Sequence, residues 1–403
     1  MLRVVITGIG TATPAGLTNR DFWQALTEKR SAIDAVSLFD TSSFPCHLAA
    51  EVKSLDSNSF PGRKSLWKIS RSIALGFAAA NSALEDAGLD VTPGKHPEIG
   101  VVYGTTLGGL SPLLQLDRQA LACGPRGTDP MLFPSAGASA PSCQISITLG
   151  MQAFNTTLSN GQTSGLDAIQ YAAQFIRLGR AETVLAGGVE EVSLDTFRAC
   201  CRSRLLAGSR AGTLEEMRPF DASRNGFVIG EGAAGLVLES LEHALARNAR
   251  IYGEFTGYGF SFGPSRETRL NAAVTAMNNA LFRAGLSHSH IGAVFASANG
   301  SMAGDRLEGQ ALHAAMPDCP ATSIKPVVGE SYSAAGAIQS AAALLALCHQ
   351  VLPGTAGFDR PDRKYRDLAV VRDTREARIS SVMVNAFGRT GNHASAVFSN
   401  YVH

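Results

Sequence analysis

The sequence predicts an α/β protein built as two intimately packed halves, and three observations carry that expectation. The chain has 403 residues, 45% of them hydrophobic, enough to bury a large core. Short apolar, β-branched runs alternate with longer stretches whose apolar positions recur at helical spacing. A polar, helix-like stretch, Glu242–Arg250 (EHALARNAR), separates two apolar strand-like runs and puts a boundary near Leu241–Ile251, so the halves are 1–245 and 246–403.

Taken in order, Arg3–Gly8 is a β-branched run closing on a glycine-rich turn, as suits the first buried strand of a parallel or mixed sheet. The following GIGTATPAG lacks the glycine spacing of a dinucleotide loop, and nucleotide binding is not predicted. Asp21–Lys29 and the alanine-rich Ile69–Asp86 read as helices, and Ile99–Tyr103 as a strand leading into Gly104–Leu116. There Leu107, Leu110 and Leu114 recur at helical spacing, for which core packing is the plain reading.

The most informative stretch is Asn155–Gly188. Leu166, Ile169, Ala173 and Ile176 fall on one helical face, Gly179 sits where a stop belongs, and Thr183–Ala186 reads as a strand. The helix therefore starts near Thr163–Ser164. Its first N–H groups and positive dipole end face the preceding turn, where they would lower a cysteine's pKa. The turn residue is Gln162, whose amide is neither acidic nor nucleophilic.

Beyond it, Gly235–Glu239 is a strand that ends the first half. Ile251–Phe260 (strand), Arg269–Gly285 (helix) and Ile291–Ser297 (strand) open the second. No clear residue-level repeat relates the two.

Lys and Arg number 35 against 34 Asp and Glu, a net charge of +1, which gives no electrostatic reason to expect nucleic acid or an anionic membrane as partner. Seven cysteines, scattered and never spaced CxxC, argue against zinc and a disulfide framework; reduced thiols and no metal or cofactor are expected. The Cys200-Cys201 pair gives no redox motif, because neighbours on regular structure point in different directions. The N-terminal MLRVVITGIG is too short for a secretion signal, and no apolar run approaches the roughly 20 residues of a membrane helix. A soluble, cytoplasmic protein is expected.

Gly150–Gly188 resembles the nucleophile-elbow region of the β-ketoacyl synthases, condensing enzymes of the thiolase superfamily. Their pattern is a glycine-rich run, Thr-Ala-Cys, a small turn, a helix and a strand ending in Gly-Gly. Arg218–Glu239, RPFDASRNGFVIGEGAAGLVLE, resembles their RPFDxxRDGFVxGEGAGxxVLE, with Asn225 in place of the acid. Phe39–Val52 is similar to the corresponding segment of polyketide-type members. The resemblance runs from Thr7 to Ser395 and implies the thiolase fold, two βαβαβαββ halves in five layers, αβαβα.

The same resemblance locates the reaction centre, and there the chain departs from the pattern. Seventeen residues before Gly179, where the family carries its acylated cysteine, stands Gln162. The family's NAHGTSTPxGD loop reads SANGSMAGD here, with Asn299 in the histidine's place. Its KSxxGHxxGAAG segment reads KPVVGESYSAAG, with Glu330 in place of the second histidine. Lys325 and the acid Glu308 are retained. In AFGRTGNHAS, which resembles SFGFGGTNxS, the gating phenylalanine is Arg389; the nearest histidine, His393, reads as a structural hydrogen-bonder.

Decarboxylative condensation needs a thiol to carry the acyl group and donors that stabilise the enolate. Acyl transfer through residue 162 is excluded. Two kinds of relative carry glutamine there: a decarboxylase domain that keeps both histidines, and the chain-length factor, or β subunit, of type II polyketide synthases. A carboxylate at 330 opposes an enolate, which favours the second.

The expectation is a non-condensing subunit that pairs with a catalytic ketosynthase α subunit and meets acyl carrier protein through the complex. A malonyl-carrier decarboxylase acting alone is the alternative. The resemblance further implies that Leu107, Leu110 and Leu114 line an acyl tunnel near the dimer interface, and that Leu132 or Phe133 reaches the partner.

Overall fold

Successive side chains on a strand point to opposite faces, and in this protein both faces are covered. The computed structural model describes residues 2–55, 69–362 and 367–401. The first half opens with β1 (Val4–Ala12), α1 (Asn19–Thr27), a hairpin of β2 (Ile33–Ala35) and β3 (Leu48–Ala50), α2 (Arg71–Asp86) and β4 (Gly100–Gly104). It continues through α3 (Leu110–Cys123), α4 (Ala140–Leu149), β5 (Asn155–Leu158), α5 (Ser164–Arg177), β6 (Thr183–Glu190), α6 (Leu194–Arg202), β7 (Gly232–Ser240) and α7 (Leu241–Ala246). The second half begins with β8 (Gly253–Phe262), α8 (Arg269–Ala284), β9 (Ala293–Phe295), α9 (Met302–Ala315), β10 (Ala321–Thr322) and α10 (Lys325–Val328). It closes with α11 (Ala335–His349), β11 (Val351–Leu352), β12 (Arg375–Glu376), β13 (Ser381–Phe387) and β14 (Asn392–Ser399).

Ten strands form one mixed sheet in the order β10-β9-β13-β14-β8-β1-β7-β6-β4-β5. Outward from the β1–β8 seam the two sides read alike: two antiparallel ladders, then two parallel ones. The seam itself is thin, pairing only Val5 with Glu254 and Ile6 with Gly253.

Alternation along the strands sorts the core into three slabs. Val184 and Ala186 of β6 and Val382 and Val384 of β13 pack into a central cluster with α5 and α11. Leu185 and Val189 face α2 and α4 on one outside, while Met383 faces α8 and α9 on the other. Helices, sheet half, central helices, sheet half and helices give the five layers of the thiolase fold.

A residue-level repeat is present after all. Thr7-Gly8-Ile9-Gly10 of β1 and Thr256-Gly257-Tyr258-Gly259 of β8 hold equivalent places. A Cβ on Gly8 or Gly10 would lie 2.2 or 2.1 Å from carbonyls of α2, and one on Gly257 or Gly259 2.2 or 2.0 Å from carbonyls of α8. Each helix backbone can sit directly on its strand only because these positions carry no side chain. The motif escaped the sequence reading because the residues around it have diverged.

The leucine stripe also departs from expectation. The helix starts at Leu110, so Leu107 precedes it, and its only fully buried residue is Pro112. None of Leu107, Leu110 and Leu114 joins a core cluster; all three are half-buried, so core packing does not account for the stripe. The helix packs against a 3₁₀ segment, Pro130–Ser135, in which Leu132 is buried while Phe133 is 76% exposed. Met131 and, on α4, Ile147 are exposed as well. Nearby, β5 forms the outer edge of the sheet, pairing among the described residues with β4 alone. No helix among the described residues is long and apolar enough to cross a membrane.

Candidate functional site

The turn before α5 is a single 3₁₀ turn, Gly161–Thr163, entered with Gly161 at φ 70°, a left-handed conformation that glycine adopts without strain. Hydrogen bonds from both halves hold it. Asn160 N–H donates to Ser164 Oγ (2.8 Å) and the Thr106 hydroxyl to the Gly161 carbonyl (3.1 Å). From β14, Asn392 Nδ2 donates to the Asn160 carbonyl (2.9 Å). Below, Asp167 accepts from Asn160 Nδ2 (2.9 Å), Thr163 Oγ1 (2.8 Å) and the Tyr258 hydroxyl; burial raises its pKa. Gln162 rides on this fixed turn, half-buried, with Oε1 close to Gly388, where a Cβ would come within 3.3 Å.

A second elbow precedes α11, where the 3₁₀ turn Tyr332–Ala334 opens with Tyr332 at φ 47°. Just before it lies Glu330, 1% exposed. Its Oε2 accepts from Lys325 Nζ at 2.7 Å and from Asn299 Nδ2 at 2.6 Å, and its Oε1 from Tyr332 N–H at 2.9 Å. Asn299 is held in turn by Ser301 N–H, which donates to its Oδ1 at 3.1 Å, and by its own N–H on Asp305 (3.0 Å). Behind the loop, Glu308 accepts from Ser297 N–H (2.9 Å) and Asn385 Nδ2 (3.1 Å), and burial pushes it up to about 7. Lys325 and Glu330 thus form a buried ion pair whose charged atoms already have partners.

The structure brings Gln162, Asn299, Glu330 and Arg389 to one cavity of about 800 Å³, together with Tyr332 and Phe387. Glu308 is part of its wall, whereas Lys325 sits behind Glu330. Among the described residues neither a cysteine nor a histidine lines it. The exposed arginines Arg204, Arg210, Arg266 and Arg389 make its rim electropositive. His393 is fully buried behind Phe387, whose ring it meets edge-on at 5.1 Å; contrary to its expected role as a structural hydrogen-bonder, neither ring nitrogen has a hydrogen-bond partner among the described residues, and desolvation lowers its pKa to about 4. Leu107, Leu110, Leu114, Leu132 and Phe133 do not line the cavity. Leu107, Leu110 and Leu114 lie half-buried at and along α3, beside the segment with buried Leu132 and exposed Phe133, and the Thr106 hydroxyl joins this region to the elbow.

Two residues that sequence reasoning passed over belong to this site. Tyr332 closes the cavity wall, and its hydroxyl shares a 2.8 Å hydrogen bond with the Cys200 thiol. Glu190, 1% exposed at the end of β6, accepts from Leu107 N–H (2.9 Å), Thr106 N–H (3.1 Å) and the Ser333 hydroxyl. Burial pushes it up to about 7. It thereby ties the entry to α3 to the second elbow. An acid beside a buried Gly-Gly strand end was the available signal.

With the geometry in hand, comparison with known proteins is decisive at the level of family. Residues 1–244 match the family model "Beta-ketoacyl synthase, N-terminal domain" and residues 252–359 its C-terminal counterpart. The chain belongs to the β-ketoacyl synthase family. Among its β-ketoacyl synthase relatives, "3-oxoacyl-[acyl-carrier-protein] synthase 2" of Coxiella burnetii is 34% identical over 98% of both chains. Of solved synthase structures, "The ishigamide ketosynthase/chain length factor" superposes with a TM-score of 0.93, at 30% identity over 100% of both chains. A type II polyketide synthase acyl-carrier protein in complex with its ketosynthase gives 0.88 at 26% identity, again over 100% of both chains.

Proposed function

We propose that this chain is the non-condensing, chain-length-factor subunit of a type II polyketide synthase, a cytoplasmic partner of a catalytic ketosynthase. One observation carries the reading: the Glu330 carboxylate, held by Lys325 and Asn299, occupies the place where the family pattern puts an imidazole. With Gln162 alone changed, the site could still stabilise an enolate and decarboxylate a malonyl group. With an anion fixed at 330 it opposes one. The likeness to a ketosynthase/chain length factor structure supports the same reading.

In this role the chain acts through its surface. The leucines at 107, 110 and 114 bound the far end of a tunnel into which the partner's growing chain extends, and Phe133 packs across the interface. Acyl carrier protein delivers to the complex. Co-expression with a ketosynthase that keeps its cysteine and both histidines should yield a stable 1:1 complex, while this chain alone is inert. A condensing homodimer would overturn the proposal, as would carbon dioxide release from malonyl carrier protein by the chain alone that is lost on Gln162→Ala.

A further inference from the structure

The last turn of α6 and the segment that leads into β3 share a second concavity, of about 580 Å³. Arg198 and Arg202, four residues apart and so on one face of the helix, line it together with Arg204, just beyond the helix end. Ser43, Phe44 and Pro45 come from the other segment, and Ser209 and the buried Cys201 complete the wall. Among the described residues no carboxylate lines it.

The arginines are not neutralised by ion pairs. Arg202 and Arg204 are exposed, and their guanidinium groups have no partner among the described residues. Arg198 reaches Asp195 only at 3.9 Å, and both Asp195 oxygens already accept from Arg118 at 2.6 Å. The terminal carbonyls of α6, which would repel an anion, are occupied as well. Those of Ala199, Cys200 and Cys201 accept from the N–H groups of Ser203, Leu205 and Arg204.

Arg204 stands at φ 53°, the left-handed position after a helix that glycine takes without strain. An arginine kept in such a conformation points to a use for its side chain. Ser209 adds an independent sign: its hydroxyl oxygen is shielded from solvent and has no hydrogen-bond partner among the described residues, which leaves a donor unused in the wall. Phe44, fixed edge-on against Phe197 at 5.6 Å, supplies apolar surface beside Pro45.

We propose that this concavity binds a small organic phosphate ester. Its phosphate oxygens lie on Arg198, Arg202 and Arg204, with Ser209 as a further donor, and its organic group rests against Phe44 and Pro45. The planar guanidinium fork matches phosphate, and the space is larger than a bare phosphate ion needs. Arg204 also belongs to the rim of the larger cavity, so an occupant fixes one side of that mouth. The inference is independent of the subunit's role in synthesis.

The test is isothermal titration of the purified chain at low salt with phenyl phosphate, inorganic phosphate and benzyl alcohol. Phenyl phosphate should fill a single site, more tightly than inorganic phosphate and less tightly as salt rises, and benzyl alcohol should give no binding heat. Arg204→Gly should weaken phenyl phosphate about tenfold while melting no lower than the parent, because glycine relieves the strained turn. Arg202→Glu with Arg204→Glu should abolish binding, whereas Arg266→Glu with Arg389→Glu, on the cavity rim alone, should leave it unchanged. No saturable binding of phenyl phosphate, or full affinity in Arg204→Gly, would overturn the site. Loss of binding in the Arg266→Glu, Arg389→Glu chain would move the anion to the larger cavity and overturn it equally. The same affinity for phenyl phosphate and inorganic phosphate would overturn the organic part of the ligand.

Discussion

Removing the Lys325 ammonium tests whether the buried ion pair beside the cavity contributes to stability. Lys325 Nζ and Glu330 Oε2 are 2.7 Å apart, with side chains 3% and 2% exposed. Taking away one member of such a pair leaves a charge in an apolar setting and costs about 3–5 kcal/mol. Here Asn299 Nδ2 and Tyr332 N–H still donate to the orphaned carboxylate, which places Lys325→Met at the lower end, about 3 kcal/mol.

Glu330→Gln added to Lys325→Met removes the charge itself and should restore all but about 1 kcal/mol. Melting followed by circular dichroism reads this as a fall of about 3–4 °C for the single variant and recovery of most of it in the double. Additive losses, with the double variant melting lowest, would refute the coupled buried pair.

Other consequences are as direct. Gln162→Cys should give a thiol that alkylating reagents modify but no condensation with malonyl carrier protein, since Asn299 and Glu330 supply no imidazole; any condensed product would show the rest of the centre to be intact. Phe133→Asp should leave the chain folded and weaken binding to the ketosynthase at least tenfold in sedimentation, because an exposed ring that becomes buried is worth about 2–3 kcal/mol. Leu110→Trp and Leu114→Trp should shorten the products of the complex, and unchanged product length for both would remove those leucines from the tunnel.

Glu190 gives a pH-dependent prediction. In the folded chain its pKa stands at about 7 against an ordinary 4.5. The protonated form is therefore favoured by folding: the contribution is complete below 4.5, erodes as pH rises and is lost above 7. Between about pH 4.5 and 8, Glu190→Gln should gain about 3 kcal/mol on the parent in denaturant titrations; parallel curves would refute it.

Much of this was legible because helical periodicity and stop signals are local. The start of α5 near Ser164 and the placing of Gln162 on the turn before it needed only neighbouring residues. Convergence of Gln162, Asn299 and Glu330 was reachable through family likeness alone, since those positions are far apart in the chain. The Lys325–Glu330–Asn299 bonding was not legible, because spacing does not show which buried groups share a proton or a charge. Tyr332 gave no turn signal, standing in a left-handed position usually marked by glycine. With Leu107, Leu110 and Leu114, periodicity identified an apolar stripe but could not say whether this chain or another covers it.

The free edge at β5 bears on how the protein must be made. A strand that pairs on one side only among the described residues, beside exposed Phe133, Met131 and Ile147, is a template for wrong pairing as well as right. On the proposed pairing, newly made chains that outnumber the ketosynthase would meet one another first, and excess chain should be lost to aggregates or proteases rather than stored. The same pairing would favour making the two polypeptides in matched amounts and close together, with the edge strand acting as a filter on assembly.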